Sequence, residues 1–168
     1  MRLVAFSAQD LNFMVMGLYQ QAERQRPTAG LKNMTARAYR QREHEEYTAL
    51  GHKIHDVLHQ AEAAVATAIA ITGQQPPPVP QNEKPEPPRL VTLSIAELRM
   101  LWFALGTEAG RLDAELQKQV RSRRKTKEEL GYIRGKRQEV RACRKLLDRI
   151  DRLYNSARKN TAVRVAVE

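Results

Sequence analysis

The chain has 168 residues, is 42% apolar and carries a formal net charge of +10; this apolar content is enough for a core and excludes a disordered protein. An aromatic fraction of 5%, with plentiful Ala, Leu, Arg, Gln and Glu, predicts an all-α protein rather than a sandwich or barrel. A single cysteine excludes an internal disulfide and a cysteine-based zinc site. Because no apolar run is long enough to span a bilayer, we expect a cytoplasmic protein without membrane contact.

The first half of the chain predicts two helices. Ser7 is placed to cap the first helix, Asp10 stands three residues later, and Phe6 and Leu11 occupy the positions of a hydrophobic staple. Apolar residues then recur at helical spacing over residues 8 to 25. A long second helix is predicted from about Ala36 to Thr72, and the glycine at position 73 is suited to end it.

A proline-rich segment separates the two halves. Residues 74 to 89 hold seven of the eight prolines, and such a run enters neither a helix nor a central strand. At about 3.1 Å per residue it is predicted to be a semi-rigid linker of up to about 50 Å. The chain thus divides into an N-terminal helical hairpin (1–73), a proline-rich linker (74–89) and a basic C-terminal helical hairpin with a short tail (90–168).

The second half repeats the first at an offset of 87 residues. Four residues are identical in the two openings: Leu3 and Leu90, Val4 and Val91, Ser7 and Ser94, Leu11 and Leu98. A second similarity, between residues 50–58 and 146–154, has an offset of 96. We therefore predict two related helical hairpins, packed as a four-helix bundle or kept as two small hairpin domains. A homo-oligomer is the other way to cover their apolar faces.

The basic half predicts two further helices. Ser94 and Glu97 form a capping box for the first, whose apolar stripe includes Trp102. Thr126 and Glu129 form a second box after a break at residues 121–126, although one continuous helix is the competing interpretation. The last helix is predicted over about residues 127 to 158. Beyond it, alternating valines at positions 163, 165 and 167 predict a short strand that would pair with residues 3–6 or 90–93.

The positive charge is concentrated in this half. Residues 89–168 hold 20 Lys/Arg against 10 Asp/Glu. On a helical wheel, the Arg and Lys side chains at positions 134, 137, 141, 144, 145 and 152 fall within about 100°, beside the apolar seam. Arginines repeated along one face suit a phosphate backbone, and binding of this kind weakens steeply with salt.

We therefore predict a non-catalytic accessory protein that binds the backbone of DNA or RNA with little sequence preference. The predicted contact residues are Arg121, Arg123, Arg124, Lys125, Lys127, Arg134, Arg137, Arg141, Arg144, Lys145 and Arg152. The alternative is a helical adaptor, inhibitor or structural particle subunit that docks on an acidic protein. A face that serves only solubility is the third interpretation.

Other chemistry is not indicated. Four histidines, His44, His52, His55 and His59, fall on one predicted exposed face of the second helix. A metal site there would need a ligand from another element, so we expect a solvated or partner-binding face and no metal. There is no P-loop, dinucleotide fingerprint, nucleophile elbow or HExxH motif, and Cys143 falls in the apolar seam. Neither a cofactor nor an enzymatic activity is predicted.

Overall fold

Two short strands and four helices make up the part of the chain that the computed structural model describes, residues 1–27, 33–72, 88–120 and 126–165, with side chains as far as residue 60 in the second helix and residue 159 in the last. The elements are β1 (Arg2–Phe6), α1 (Ala8–Gln25), α2 (Met34–Thr72), β2 (Arg89–Leu93), α3 (Ile95–Val120) and α4 (Lys127–Val165). The prediction of a mostly helical protein is confirmed. Residues 74–87 of the predicted linker and residues 121–125 of the predicted break lie outside the described residues, and Arg89, predicted as the last linker residue, is the first residue of β2.

Capping boxes begin three of these helices, as predicted. At α1 the Ser7 hydroxyl accepts from the Asp10 amide at 3.1 Å, and the Ser7 amide donates to the Asp10 carboxylate at 3.1 Å. The same exchange occurs between Ser94 and Glu97 and between Thr126 and Glu129. Each cap satisfies backbone donors that have no partner within the helix and contributes about 1 kcal/mol.

The two strands pair with each other. β1 and β2 form an antiparallel two-stranded sheet in which Val4 faces Val91 at the centre. The strand residues Phe6, Val91 and Leu93 are buried on the inner face of this sheet. The predicted strand near the C-terminus is wrong, because α4 continues as helix through Val165. The backbone groups of β1 are paired by β2, and residues 160–165 keep theirs within the helix.

One hydrophobic core joins both halves of the chain. Helix α1 packs against α2, α3 packs against α4, and α1 packs against α3. Both pairs are antiparallel. Along α1, Tyr19 meets His52 and the later Ala22 meets the earlier His44; along α3, Leu105 lies against Cys143 and the later Glu115 meets the earlier Tyr132. The largest wholly buried side chains come from all six described elements: Phe6; Leu11, Met14 and Leu18; Ile54; Val91 and Leu93; Leu98, Leu101, Leu105 and Leu112; Ile150. No described helix is both long and apolar enough to cross a bilayer.

Trp102 lies outside this core, contrary to the prediction. Its side chain is 37% exposed and its ring meets that of Phe103 edge-on, with centroids 5.0 Å apart. The buried face of α3 is centred on Leu98, Leu101 and Leu105, so Trp102 falls at the margin of that arc. An aromatic pair consequently stands at the surface of α3.

Two reciprocal contacts tie each half to the other. Lys53 of α2 donates to the backbone carbonyl of Thr92 at 2.7 Å and to the Glu97 carboxylate at 2.6 Å. Arg149 of α4 donates to the backbone carbonyl of Ala5 at 2.7 Å and lies 3.8 Å from the Asp10 carboxylate. Each long helix thus holds the strand and the capping carboxylate of the opposite half.

Candidate nucleic-acid interface

The orientation of α4 is set by its apolar seam. Ile133, Val140, Cys143, Leu146 and Ile150 are all buried, and they recur at steps of three, four and seven residues along one side of the helix. This side packs on α3, where the Cys143 thiol lies 4.0 Å from the Leu105 carbonyl. The opposite side of α4 therefore faces outward along its length.

Four predicted contact residues form an unpaired cationic row on that outward side. Arg134, Arg137, Arg141 and Lys145 are all exposed, and they fall within about 80° of one another on the helical wheel. Within the described part of the chain, none of the four is in an ion pair. The row extends about 16 Å along the helix axis. We call these four residues the basic row.

Two of the other predicted contact residues already bond to groups of the protein. Arg144 is in an ion pair with Asp113 of α3, and the Nε of Arg152 donates to the Asp148 carbonyl of its own helix at 3.2 Å. Lys127 is exposed at the start of α4. The predicted contacts at positions 121, 123, 124 and 125 lie outside the described residues. The ion pair of Arg144 thus helps to hold α4 against α3.

Lys159 extends the same surface and was missed by the sequence analysis. It is exposed and stands fourteen residues after Lys145, with Arg152 midway between them. Successive cations here are thus seven residues apart, and the same interval of seven separates Lys127, Arg134 and Arg141. Seven residues are about two helical turns, so cations at this interval remain on one side of a helix. The heptad interval of these charges was the signal that could have found Lys159.

The histidines of α2 do not form one exposed face as predicted. His44 is half-buried, with its Nδ1 atom 2.8 Å from the backbone carbonyl of Ala22. His52 lies against Tyr19, whose hydroxyl is 3.4 Å from its Nδ1 atom, and the rings of His55 and His59 have centroids 4.3 Å apart. No group of three metal-ligating side chains occurs among the described residues. The packing of α1 against α2 explains the burial of His44.

Glu108 is a buried charge on α3. Its side chain is 3% exposed, and the Arg111 guanidinium holds both of its oxygens, at 2.8 and 2.7 Å. The hydrogen bond to Glu108 raises the pKa of Arg111 further above its ordinary value. Burial raises the pKa of the nearby Cys143 thiol to about 11, and the charge of Glu108 adds to this effect. Glu108 is thus satisfied by Arg111, whose side chain is 39% exposed at the edge of the core, and Cys143 is a core residue as predicted.

No family model, curated protein or solved structure matches the chain.

Proposed function

We propose that this protein binds the phosphate backbone of a nucleic acid through the basic row on α4, without catalysis and with little sequence preference. The observation that carries the proposal is that four cations of α4 are exposed and have no acidic partner among the described residues. They are Arg134, Arg137, Arg141 and Lys145. Cations already paired within the protein would have to give up a partner before contacting a phosphate. The basic row needs no such exchange.

The row also suits repeated phosphate contacts. Consecutive members are three or four residues apart, about 5 to 6 Å along the axis. Each guanidinium can donate two parallel hydrogen bonds to phosphate oxygens. Each phosphate neutralised in this way releases counterions, so affinity would fall steeply with salt concentration. The row consists only of arginine and lysine and offers no ring on which a base could stack, which favours backbone contact over base readout.

Comparison of the two long helices supports a specific role for this charge. The positions of α2 that stand 96 residues before the row are Ala38, Gln41, Glu45 and Ala49, and all four are exposed. At these positions the exposed side of α2 therefore has no cationic row. Solubility of a long helix in this fold does not require the charge found on α4.

We also propose that the two halves are related hairpins that arose by duplication, joined by the proline-rich linker. The facing residues Val4 and Val91 are separated by 87 positions, which is the offset of the sequence repeat. Lys53 and Arg149 are separated by 96, the second offset, and the carbonyls that they bind are again separated by 87. Contacts that repeat at both offsets are typical of a molecule with an approximate two-fold axis.

A titration with labelled nucleic acids tests the function. Fluorescence anisotropy of duplex DNA, single-stranded DNA and RNA would be measured with the intact chain at two salt concentrations. We expect micromolar or tighter binding at low salt and a steep loss at the higher salt concentration. Absence of binding to all three at low salt would overturn the proposal and favour docking on an acidic protein. A pull-down with the basic row intact and neutralised would then be the next experiment.

A further inference from the structure

A cleft of about 510 Å³ opens between α2, the beginning of α3 and the end of α4. Its aromatic walls are Tyr39 and Tyr47 of α2, Phe103 of α3 and Tyr154 of α4. The volume lies within the range of small-molecule sites, which typically combine apolar walls with a few placed polar groups. Tyr154 is on the far side of α4 from the basic row, about 180° around the helix from Lys145.

Tyr47 supplies an unused polar group in this cleft. Its side chain is only 7% exposed, and its hydroxyl makes no hydrogen bond to the described chain. Because no fully buried side-chain polar atom among the described residues lacks a partner, this hydroxyl is open to the cleft. Burial raises the pKa of Tyr47 above its ordinary value, so the phenol is neutral near pH 7 and able to donate. A ligand in the cleft would give this hydroxyl a partner.

The charged groups of the cleft are mostly paired. Arg42 contacts Glu46 at 2.8 Å, and the Tyr39 hydroxyl donates to Glu43 at 2.7 Å. Arg99 has no ion pair among the described residues, and its guanidinium lies 5.8 Å from the centroid of the Phe103 ring. The cleft thus presents the donors Arg99 and Tyr47 and the acceptor Glu43 beside aromatic rings.

This set of groups suits one kind of ligand. Two arginines and two glutamates balance in charge, so neither a simple cation nor a simple anion is favoured. A planar ring that carries both donors and acceptors on its edge fits better, because it can stack on Phe103 and hydrogen-bond at its rim. Nucleobases have this chemistry, and proteins bind unpaired bases by stacking them on aromatic rings and arginine planes.

The corresponding positions of the other half lack these groups. Offsets of 96 and 87 relate Tyr39, Tyr47, Arg99 and Phe103 to Gly135, Cys143, Asn12 and Met16. Packing of the repeated helices therefore does not require aromatic or cationic residues at these positions. Their presence in only one half points to a use other than stability.

We propose that this cleft binds a single nucleobase, supplied by a free nucleoside monophosphate or by an unpaired nucleotide of a strand. The ring stacks on Phe103, Arg99 and Tyr47 donate to acceptors on its edge, and Glu43 accepts from its donors. This site is separate from the basic row, so failure of either proposal leaves the other standing.

The only tryptophan of the chain provides the assay. Trp102 contacts Phe103, so a base stacked in the cleft is expected to quench its fluorescence. AMP, GMP, CMP and UMP would each be titrated into the intact protein, followed by single-stranded hexanucleotides. Calorimetry gives a second measure of affinity that is independent of changes around Trp102. We expect saturable binding of at least one mononucleotide.

Four variants test the contacts. Phe103→Ala removes the stacking surface and is expected to weaken binding about ten-fold or more; Arg99→Gln and Tyr47→Phe each remove donors and should weaken it several-fold. Met16→Ala, an equally exposed change at the corresponding position of α1, should bind as the wild type does. Arg141→Gln should also leave mononucleotide affinity unchanged, because it belongs to the basic row.

The two sources of the base are distinguished by the oligonucleotides. Loss of hexanucleotide affinity in Phe103→Ala supports a strand as the source, whereas an unchanged hexanucleotide affinity with lost mononucleotide binding supports a free nucleotide. The proposal is overturned if no mononucleotide saturates up to millimolar concentration. It is equally overturned if Phe103→Ala and Arg99→Gln both bind like the wild type in calorimetry.

Discussion

Gly17 of α1 lies directly against the backbone of Ala104 in α3, so that a Cβ atom at position 17 would be 2.9 Å from the Ala104 carbonyl oxygen. A backbone carbonyl within a helix cannot swing aside as a flexible side chain can. We therefore expect Gly17→Ala to destabilise the protein by about 1–3 kcal/mol, despite the better helix propensity of alanine. Thermal unfolding followed by circular dichroism would show a melting temperature several degrees lower.

Gly106 is the matched control for this substitution. It lies in α3 with no atom within 4 Å of a Cβ placed on it. Gly106→Ala should therefore stabilise the protein by roughly 0.5–1 kcal/mol, since only the helix propensity changes. If both variants shift the melting temperature in the same direction, the close approach of α1 and α3 does not determine how Gly17→Ala changes stability.

Glu97 makes stability depend on pH. Burial raises its pKa, but hydrogen bonds from Lys53 and Ser94 outweigh this and leave the pKa below its ordinary value. A carboxyl with a lowered folded-state pKa stabilises the protein above its unfolded pKa and loses that contribution as pH falls through the folded pKa. Glu97→Gln should thus cost on the order of 1 kcal/mol at pH 7. The difference from the wild type should shrink between about pH 5 and 3.

Urea unfolding of the wild type and Glu97→Gln at a series of pH values measures this difference. Glu23→Gln is the control, because Glu23 is 66% exposed and its contact to Arg26 is 3.6 Å long. Its unfolding free energy should follow the wild type at every pH. A Glu97→Gln deficit that is as large at pH 3 as at pH 7 would show that charge is not its cause.

The basic row predicts a change in salt dependence. If Arg141 contacts one phosphate, Arg141→Gln should reduce the slope of log affinity against log salt by about one. Arg40→Gln removes the same charge from an exposed position of α2 and should leave the slope unchanged. Anisotropy titrations at four or more salt concentrations give both slopes. Equal slopes for the two variants would mean that net charge, rather than the row, determines binding.

Cys143 predicts slow reaction with thiol reagents. Its side chain is wholly buried, and burial with the nearby Glu108 charge raises its pKa to about 11. At pH 8 the thiolate is therefore scarce and sheltered, and the thiolate is the reactive form. Absorbance with a disulfide reagent should show little reaction in the native protein and rapid modification of one thiol per chain in denaturant. Rapid modification without denaturant would mean that α3 and α4 separate readily.

Local features of the fold were predictable from sequence, and long-range ones were not. The bounds of α1 and the three capping boxes depend on residues within a few positions of one another, so Ser7, Ser94 and Thr126 were identified correctly. The pairing of β1 with β2 was missed because each strand has only five residues and its partner is 87 positions away. Short apolar runs without a turn between them give no signal of register.

The candidate interface shows the same division. The cationic face of α4 followed from helical periodicity alone, which places Arg134, Arg137 and Arg141 together. The ion pair of Arg144 with Asp113 depends on how α4 lies across α3, and periodicity contains no such information. The burial of His44 likewise depends on the neighbouring α1. Which charges of a face are already engaged is therefore known only once the helices are packed.

The pairing of Val4 with Val91 also bears on the order of events during synthesis. Strand β1 leaves the ribosome before its partner, which follows 87 residues later, a delay of about 4 to 17 seconds at 5–20 residues per second. Throughout this interval Phe6 and the α3-facing side of α1 lack the neighbours that bury them in the finished molecule. Formation of the sheet must therefore wait for a non-local contact, which is the kind of step that slows folding. The N-terminal half is thus the part of the nascent chain most in need of protection from premature association.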